Sequence, residues 1–274
     1  MSAFQLMLPP FVACMVLLAI HSYLGLHIIA REVIFVDLSL AQMAALGTVV
    51  ALLLGVSADS RTAYFFGLGF AAVGAGLFAL TRTSGKGRVP QEAIIGIVYV
   101  VASATAILVA SKAPQGAEAL EKTLEGNILW VTWPTIARLA IAYAALGAFH
   151  YALRKRFLTI SFEPEKAEQQ GWRIKWWDFL FYLSFGVVIT FSVPVGGVLM
   201  VFTFLVVPAS IAFMFTRDIR KLAYIAWATG AVVSVAGNWI SYKADLPTGP
   251  LIVCLYGVML AGAGIVRKLR TAPA

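Results

Sequence analysis

Apolar runs of about twenty residues recur along this chain, at roughly 9–29, 33–56, 63–80, 93–111, 134–153, 177–193, 196–215, 222–241 and 248–266. A helix of that length spans a hydrocarbon core of about 30 Å. Inside lipid each backbone N–H and C=O needs a partner within the protein, which leaves helices or a closed barrel. Barrel strands are about ten residues long and alternate in polarity, and these runs do neither. The 274 residues are 61% hydrophobic and only 12% charged, with mean hydropathy +0.87. The expectation is an all-α polytopic membrane bundle of about nine spans, forming one transmembrane domain over 1–274. The stretch SVPVGG at 192–197 leaves the sixth and seventh spans open to two readings, a tight turn or a broken helix.

The net charge of +8 would point to nucleic acid in a soluble protein. Here the cations sit in loops between apolar runs, and alternate loops hold most of them. Membrane topology explains that pattern without nucleic acid. Lys and Arg cluster around 31, 82–88, 154–175, 217–221 and 267–270. The positive-inside rule then places the N-terminus outside and the C-terminus in the cytoplasm, in line with an odd span count. No cleavable signal peptide is expected, because the first apolar run lacks a basic leader. Cys14 and Cys254 lie inside apolar runs without metal-type spacing, so no disulfide framework is expected. Small residues at Ala72 and Gly76, at Gly257 and Ala261, and in GAVVSVAG (230–237) offer close helix packing.

Catalytic motifs are missing. TRTSGKGR (81–88) has a Gly-Lys pair but lacks the first glycine of a phosphate-binding loop, and Gly87 stands where Ser or Thr follows the lysine. No Ser/His/Asp set and no HExxH is apparent, and the chain is not expected to hydrolyse ATP by itself. Against this background SFEPEKAEQQG (161–171) is the most polar stretch. Pro164 suits the first helical position, Glu163 and Glu165 suit the positive end of the helix dipole, and Gly171 suits the left-handed position past the end. A helix this short needs something packed on it. WRIKWWD (172–178) follows, with three tryptophans and two cations fit for the water–lipid boundary. The segment reads either as a solvated connector or as a dock for a cytoplasmic partner. Glu92, after Pro90, reads as a helix-start residue.

Five segments, FEPEKAEQQG (162–171), PQEAIIGIVY (90–99), EGNILWV (125–131), VGGVLMVFTFLVVPAS (195–210) and DLPTGP (245–250), give the chain a family likeness. It resembles the membrane permeases of the ATP-binding-cassette importers for zinc, manganese and iron. The resemblance covers nearly the whole chain. It implies a fold like the type II importers, in the bacterial inner membrane, with a second permease copy, two cytoplasmic ATPase subunits and an extracytoplasmic metal-binding protein. Divalent metal would be cargo rather than a resident cofactor, and ATP would bind the partner subunit. By the same resemblance Glu163, Pro164, Glu165 and Gly171, within a coupling segment at 161–175, meet the ATPase, and Asp245, Pro247, Thr248 and Gly249 form an outer loop. An ABC permease for a metal chelate or another small substrate remains an alternative, as does an ATP-independent secondary transporter.

The chain departs from the family in one place. The family carries a GDALSHAALPG-like stretch in its second span, whose Asp and His look suited to a passing divalent cation. Here VDLSLAQMAALG (36–47) puts Gln42 at the histidine position and Leu38 at the aspartate position, with Asp37 one residue earlier. Glutamine is a poor zinc ligand. Asp37 and Gln42 stand about 140° apart around a helix, whereas Ser39 and Gln42 share a face. Asp37 is either a pathway carboxylate, a structural partner of Arg31 or a backbone group, or a wet acid near the interface. His21 and His27 are further candidates for the metal path, or bundle hydrogen-bonders. His150 reads as interfacial.

Overall fold

A computed structural model describes residues 3–58, 60–82 and 89–271, and every regular element among them is helical. Lys86, Gly87 and Arg88, and with them most of the TRTSGKGR stretch, lie outside the described residues. The helices are α1 (Ala3–Arg31), α2 (Val36–Leu53), α3 (Arg61–Leu80), α4 (Gln91–Ala110), α5 (Gly116–Glu125), α6 (Trp133–Ala152), α7 (Arg154–Phe162), α8 (Pro164–Gln169), α9 (Ile174–Phe215), α10 (Ile219–Ala244) and α11 (Thr248–Thr271), with a 3-10 turn at Ile128–Trp130. Among the described residues seven helices are long and apolar enough to cross a membrane, and the bent pair α6–α7 makes an eighth. At 42 residues, α9 would be about 63 Å long, twice the hydrocarbon core. It is broken at Gly197, whose φ of 72° and ψ of 157° are not helical. Counting its two halves separately gives the nine runs of the sequence, and SVPVGG is a break within a helix rather than a loop.

Local chemistry sets the ends. Ser60 caps α3 by accepting from the Ala63 N–H at 3.1 Å, and Asp218 caps α10 by accepting from the Lys221 N–H at 3.0 Å. That backbone hydrogen bond holds the Asp218 carboxyl below its ordinary range. Pro90 precedes α4, where its missing N–H costs nothing. The two short helices α5 and α7 had no counterpart among the apolar runs, because neither is a continuous apolar stretch.

The chain divides into two compact units. One comprises residues 1–29, 125–144 and 195–274, and so holds most of α1, the start of α6, the second half of α9, α10 and α11. Its helices approach closely at small residues. A Cβ on Gly25 of α1 would fall 1.9 Å from the Leu205 carbonyl oxygen of α9, and one on Gly230 of α10 would fall 2.1 Å from Leu18. Gly237 is packed likewise against Ile252 of α11. The GAVVSVAG run is therefore a packing surface on two sides. Gly257, by contrast, has nothing within 4 Å, so it is not at a close contact within the chain.

The other unit comprises residues 30–124 and 145–194. Here α2 is buried along most of its length, against α3 and α4. Its backbone meets α3 where a Cβ on Gly47 would lie 2.5 Å from the Phe66 carbonyl oxygen. A Cβ on Gly76 would meet Phe179 at an ordinary 3.9 Å, so Gly76 is not a point of close approach. Phe149, His150, Phe157 and Phe181 stack with ring centroids 4.7–5.9 Å apart. His150 is buried there and bonded to the Ser184 hydroxyl at 2.8 Å, so it is a core residue rather than an interfacial one.

Gly25→Val is expected to force α1 off α9. Overpacking of this kind costs about 1–3 kcal/mol. The check is thermal unfolding in detergent, with a lowered midpoint and a smaller monodisperse fraction on size exclusion.

Candidate functional site

The 161–171 segment is polar and largely exposed. α7 leaves α6 at a 74° bend around Leu153. It ends at Phe162, and α8 begins two residues later with Pro164 in the first helical turn. Glu163 occupies the position just before α8, and its carboxylate accepts from the Lys166 ammonium at 2.7 Å. Gly171 adopts φ +66°, the left-handed conformation that glycine takes without strain. The support that a six-residue helix needs comes from Ala167, which is fully buried with Ile160 and Ile174, while Trp172 and Trp177 pack around them. Arg156 lies over the Trp172 ring at 4.3 Å. Glu163, Pro164, Glu165, Lys166, Glu168 and Gln169 all face outward. The segment is a small, seated helix that presents nearly all of its side chains.

The metal-path candidates fall into the two units. His21 and His27 belong to the first. His21 is buried and donates Nδ1–H to the Leu17 carbonyl at 2.7 Å, with Tyr143 edge-on at 6.2 Å. His27 is buried beside Tyr23, with ring centroids 4.8 Å apart. Asp37, Ser39 and Gln42 belong to the second unit, and all three are buried on α2. Among the described residues no group of three or more His, Cys, Asp or Glu side chains could hold a metal ion.

Asp37 stands in the first turn of α2, not deep within a span, and its Oδ1 accepts from the Leu38 N–H at 2.7 Å. Arg31 is not its partner, because Arg31 pairs with Asp178 at 2.7 Å. Glu92 also reaches the start of α2: its Oε1 accepts from the Phe35 N–H at 3.0 Å. Although Glu92 lies in the first turn of α4, it thus satisfies an N-terminal donor of another helix. Two carboxylates therefore meet at the positive end of the α2 dipole.

Three of the separately quoted segments converge in the first unit. The Asn127 N–H donates to the Val195 carbonyl at 2.9 Å. A Cβ on Gly126, which has φ +68°, would lie 2.1 Å from the Gly197 nitrogen. Gly249 approaches the Glu125 carbonyl. Asp245 is exposed and closes α10 in the left-handed conformation, at φ 52°. Past it, Ser241 donates to the Leu246 carbonyl at 2.6 Å and bonds the buried Thr248 hydroxyl at 2.7 Å. Pro247 is exposed on the same turn. The EGN stretch, the break in α9 and the DLPTGP turn form one assembly of backbone contacts. Sequence reasoning did not anticipate the Gly126–Gly197 approach or the pairing of Arg31 and Arg82 with Asp178. The latter had one signal, an acid closing the WRIKWWD boundary stretch.

A family model, the ABC 3 transport family, matches residues 3–266. The chain belongs to the ABC 3 transport family. Among its relatives is a protein of Chlamydia trachomatis named "Probable metal transport system membrane protein", 31% identical over 61% of this chain and 57% of that protein. Another is the manganese transport system membrane protein MntC of Listeria monocytogenes, 30% identical over 69% of each chain. The structure of PsaBC from Streptococcus pneumoniae in complex with Fab matches with a TM-score of 0.77 at 19% identity, over 95% of this chain and 91% of that one. As a member of the ABC 3 transport family the chain is a membrane-spanning transport component and not an enzyme.

Gly126→Ala is expected to be among the most damaging single-methyl changes in this ABC 3 chain. It adds a Cβ against backbone and strains a positive φ, costing about 1–3 kcal/mol or more. Ala at Gly249, where the nearest atom is 3.9 Å away, is the control and should unfold close to wild type in the same thermal assay.

Proposed function

We propose that this chain is the permease subunit of a bacterial ABC importer for divalent metal ions, manganese or zinc foremost. The observation that carries the reading is the family match across 3–266, together with relatives named for manganese and metal transport. The chain works in the inner membrane as one of two copies, with its N-terminus outside and its C-terminus in the cytoplasm. Two ATPase subunits dock on the outward-facing side chains of 161–171, and an extracytoplasmic binding protein delivers the ion on the side of the 245–249 turn. ATP is hydrolysed on the partners, and this chain supplies path, gates and grip. Asp37, Ser39 and Gln42 on α2 of the second unit are the path candidates there, and His21 and His27 on α1 are those of the first unit.

A second reading, a permease for a metal chelate, is favoured by Gln42 and Leu38, which replace the ligands expected there. A chelated ion brings its own ligands and needs only a polar lining. The binding pocket of the extracytoplasmic partner separates the two readings, since a bare-ion site and a chelate cleft differ in ligand set and size.

Co-expression with the neighbouring ATPase tests the main reading. The expected result is a stable complex whose ATP hydrolysis rises on adding loaded binding protein; a chain that binds no ATPase and transports alone overturns it. Glu163→Lys and Gly171→Pro are expected to abolish most of that stimulation while membrane insertion stays normal. The first reverses charge on the docking face, and the second demands φ near −65° where the backbone holds +66°. Asp37→Ala is expected to lower manganese uptake about tenfold, the effect of losing one charged contact; unchanged uptake with lowered stability would assign Asp37 to the fold alone.

A further inference from the structure

We propose that Asp178 is a fulcrum that passes movement of the 161–171 segment to the end of α1 and to the start of the α3–α4 connection; this rests on reading that segment as the ATPase dock. Asp178 is fully buried near the start of α9 and divides its two oxygens between two arginines. Oδ1 accepts from Arg31 Nη1 at 2.7 Å and Oδ2 from Arg82 Nη1 at 2.5 Å. Arg31 is the last residue of α1, and its side chain is 3% exposed. Arg82 lies just past α3 and is 16% exposed. The Arg31 guanidinium also lies over the Phe181 ring at 4.0 Å. Lys175, one turn before Asp178, donates to the Leu80 carbonyl at 3.0 Å. The ends of α1 and α3 are thereby fastened to the start of α9.

The link to the dock is of a different kind. Arg31 Nε donates to the Ser161 hydroxyl at 2.7 Å. Ser161 is the penultimate residue of α7 and stands three positions before Pro164, which opens α8. A carboxylate shared by two guanidiniums in a buried setting is strongly held, because removing one partner leaves an uncompensated charge. A single bond to a neutral hydroxyl is much weaker and reversible. A cavity of about 410 Å³, lined among others by Arg31, Arg82, Ser161 and Pro164, adjoins this link and gives the segment room to move. A pull on α8 therefore reaches Arg31 through Ser161, while the Arg31–Asp178–Arg82 group moves as one piece. Arg suits this position and Lys does not, because its Nε and Nη1 serve the hydroxyl and the carboxylate at once.

The test uses the full complex in proteoliposomes, with manganese uptake and ATP hydrolysis measured together. Ser161→Ala leaves both ion pairs in place. The expected outcome is normal ATPase binding and a near wild-type melting temperature, with manganese moved per ATP reduced about fivefold, the equivalent of one hydrogen bond. Ser161→Thr, which keeps the hydroxyl, should restore the ratio. Arg31→Lys should lower the ratio as Ser161→Ala does. An unchanged ratio in Ser161→Ala overturns the fulcrum, and so does loss of ATPase binding in that variant, which would make Ser161 part of the dock itself. Glu163→Lys distinguishes the underlying reading: if it binds and couples normally, the dock and the fulcrum both fail, whereas its failure beside a normal Ser161→Ala removes the fulcrum alone.

Discussion

No backbone amide can be left without a partner in hydrocarbon, and this requirement decides nearly everything about the chain. It makes every spanning element a helix whose bonds close within itself. It also removes the hydrophobic effect as the force that brings helices together, since lipid tails are as apolar as leucine. What remains is close approach. Gly25 against Leu205, Gly47 against Phe66 and Gly230 against Leu18 let helices come near enough for dispersion to count. The kink at Gly197 obeys the same requirement, because the Val195 carbonyl beside it finds the Asn127 N–H.

Charges inside such a bundle are few, and each sits where a partner or a helix end receives it. Asp178 holds two arginines. Glu92 takes the Phe35 N–H, and Asp37 takes the Leu38 N–H at the start of α2. The polar segment at 161–171 stands apart from this pattern, since the side chains at 163–166 and 168–169 face outward while Ser161 and Ala167 are buried. Asp178 is shut inside the protein with its two arginines, whereas the Glu163–Lys166 pair stands in the open.

Much of this was legible in the residues. Every apolar run became helical, two of them joined in the broken α9, because a twenty-residue apolar stretch has one structure available in lipid. Pro164 and Gly171 marked the ends of α8 correctly, since both signals are local. What stayed hidden depends on residues far apart in the chain. Asp178 lies 147 positions from Arg31 and 96 from Arg82. Arg31 was instead weighed against Asp37, its neighbour in sequence. Glu92 was read correctly as a helix-start residue but serves the wrong helix for a local reading. Gly257 looked like Gly230 in composition, and only the fold separates a glycine under a neighbouring helix from one facing open space.

The seating of α8 has a further consequence. One methyl group, that of Ala167, fixes the little helix to its base, while the side chains at 163, 165, 166, 168 and 169 carry no share of the packing. Those five positions form an interchangeable face on a constant stem. On the proposed docking reading, a lineage of such permeases can change the motor it answers to by rewriting those five positions, and an engineer can retarget it in the same way, with Ser161 and Ala167 kept so that the bundle beneath is not disturbed.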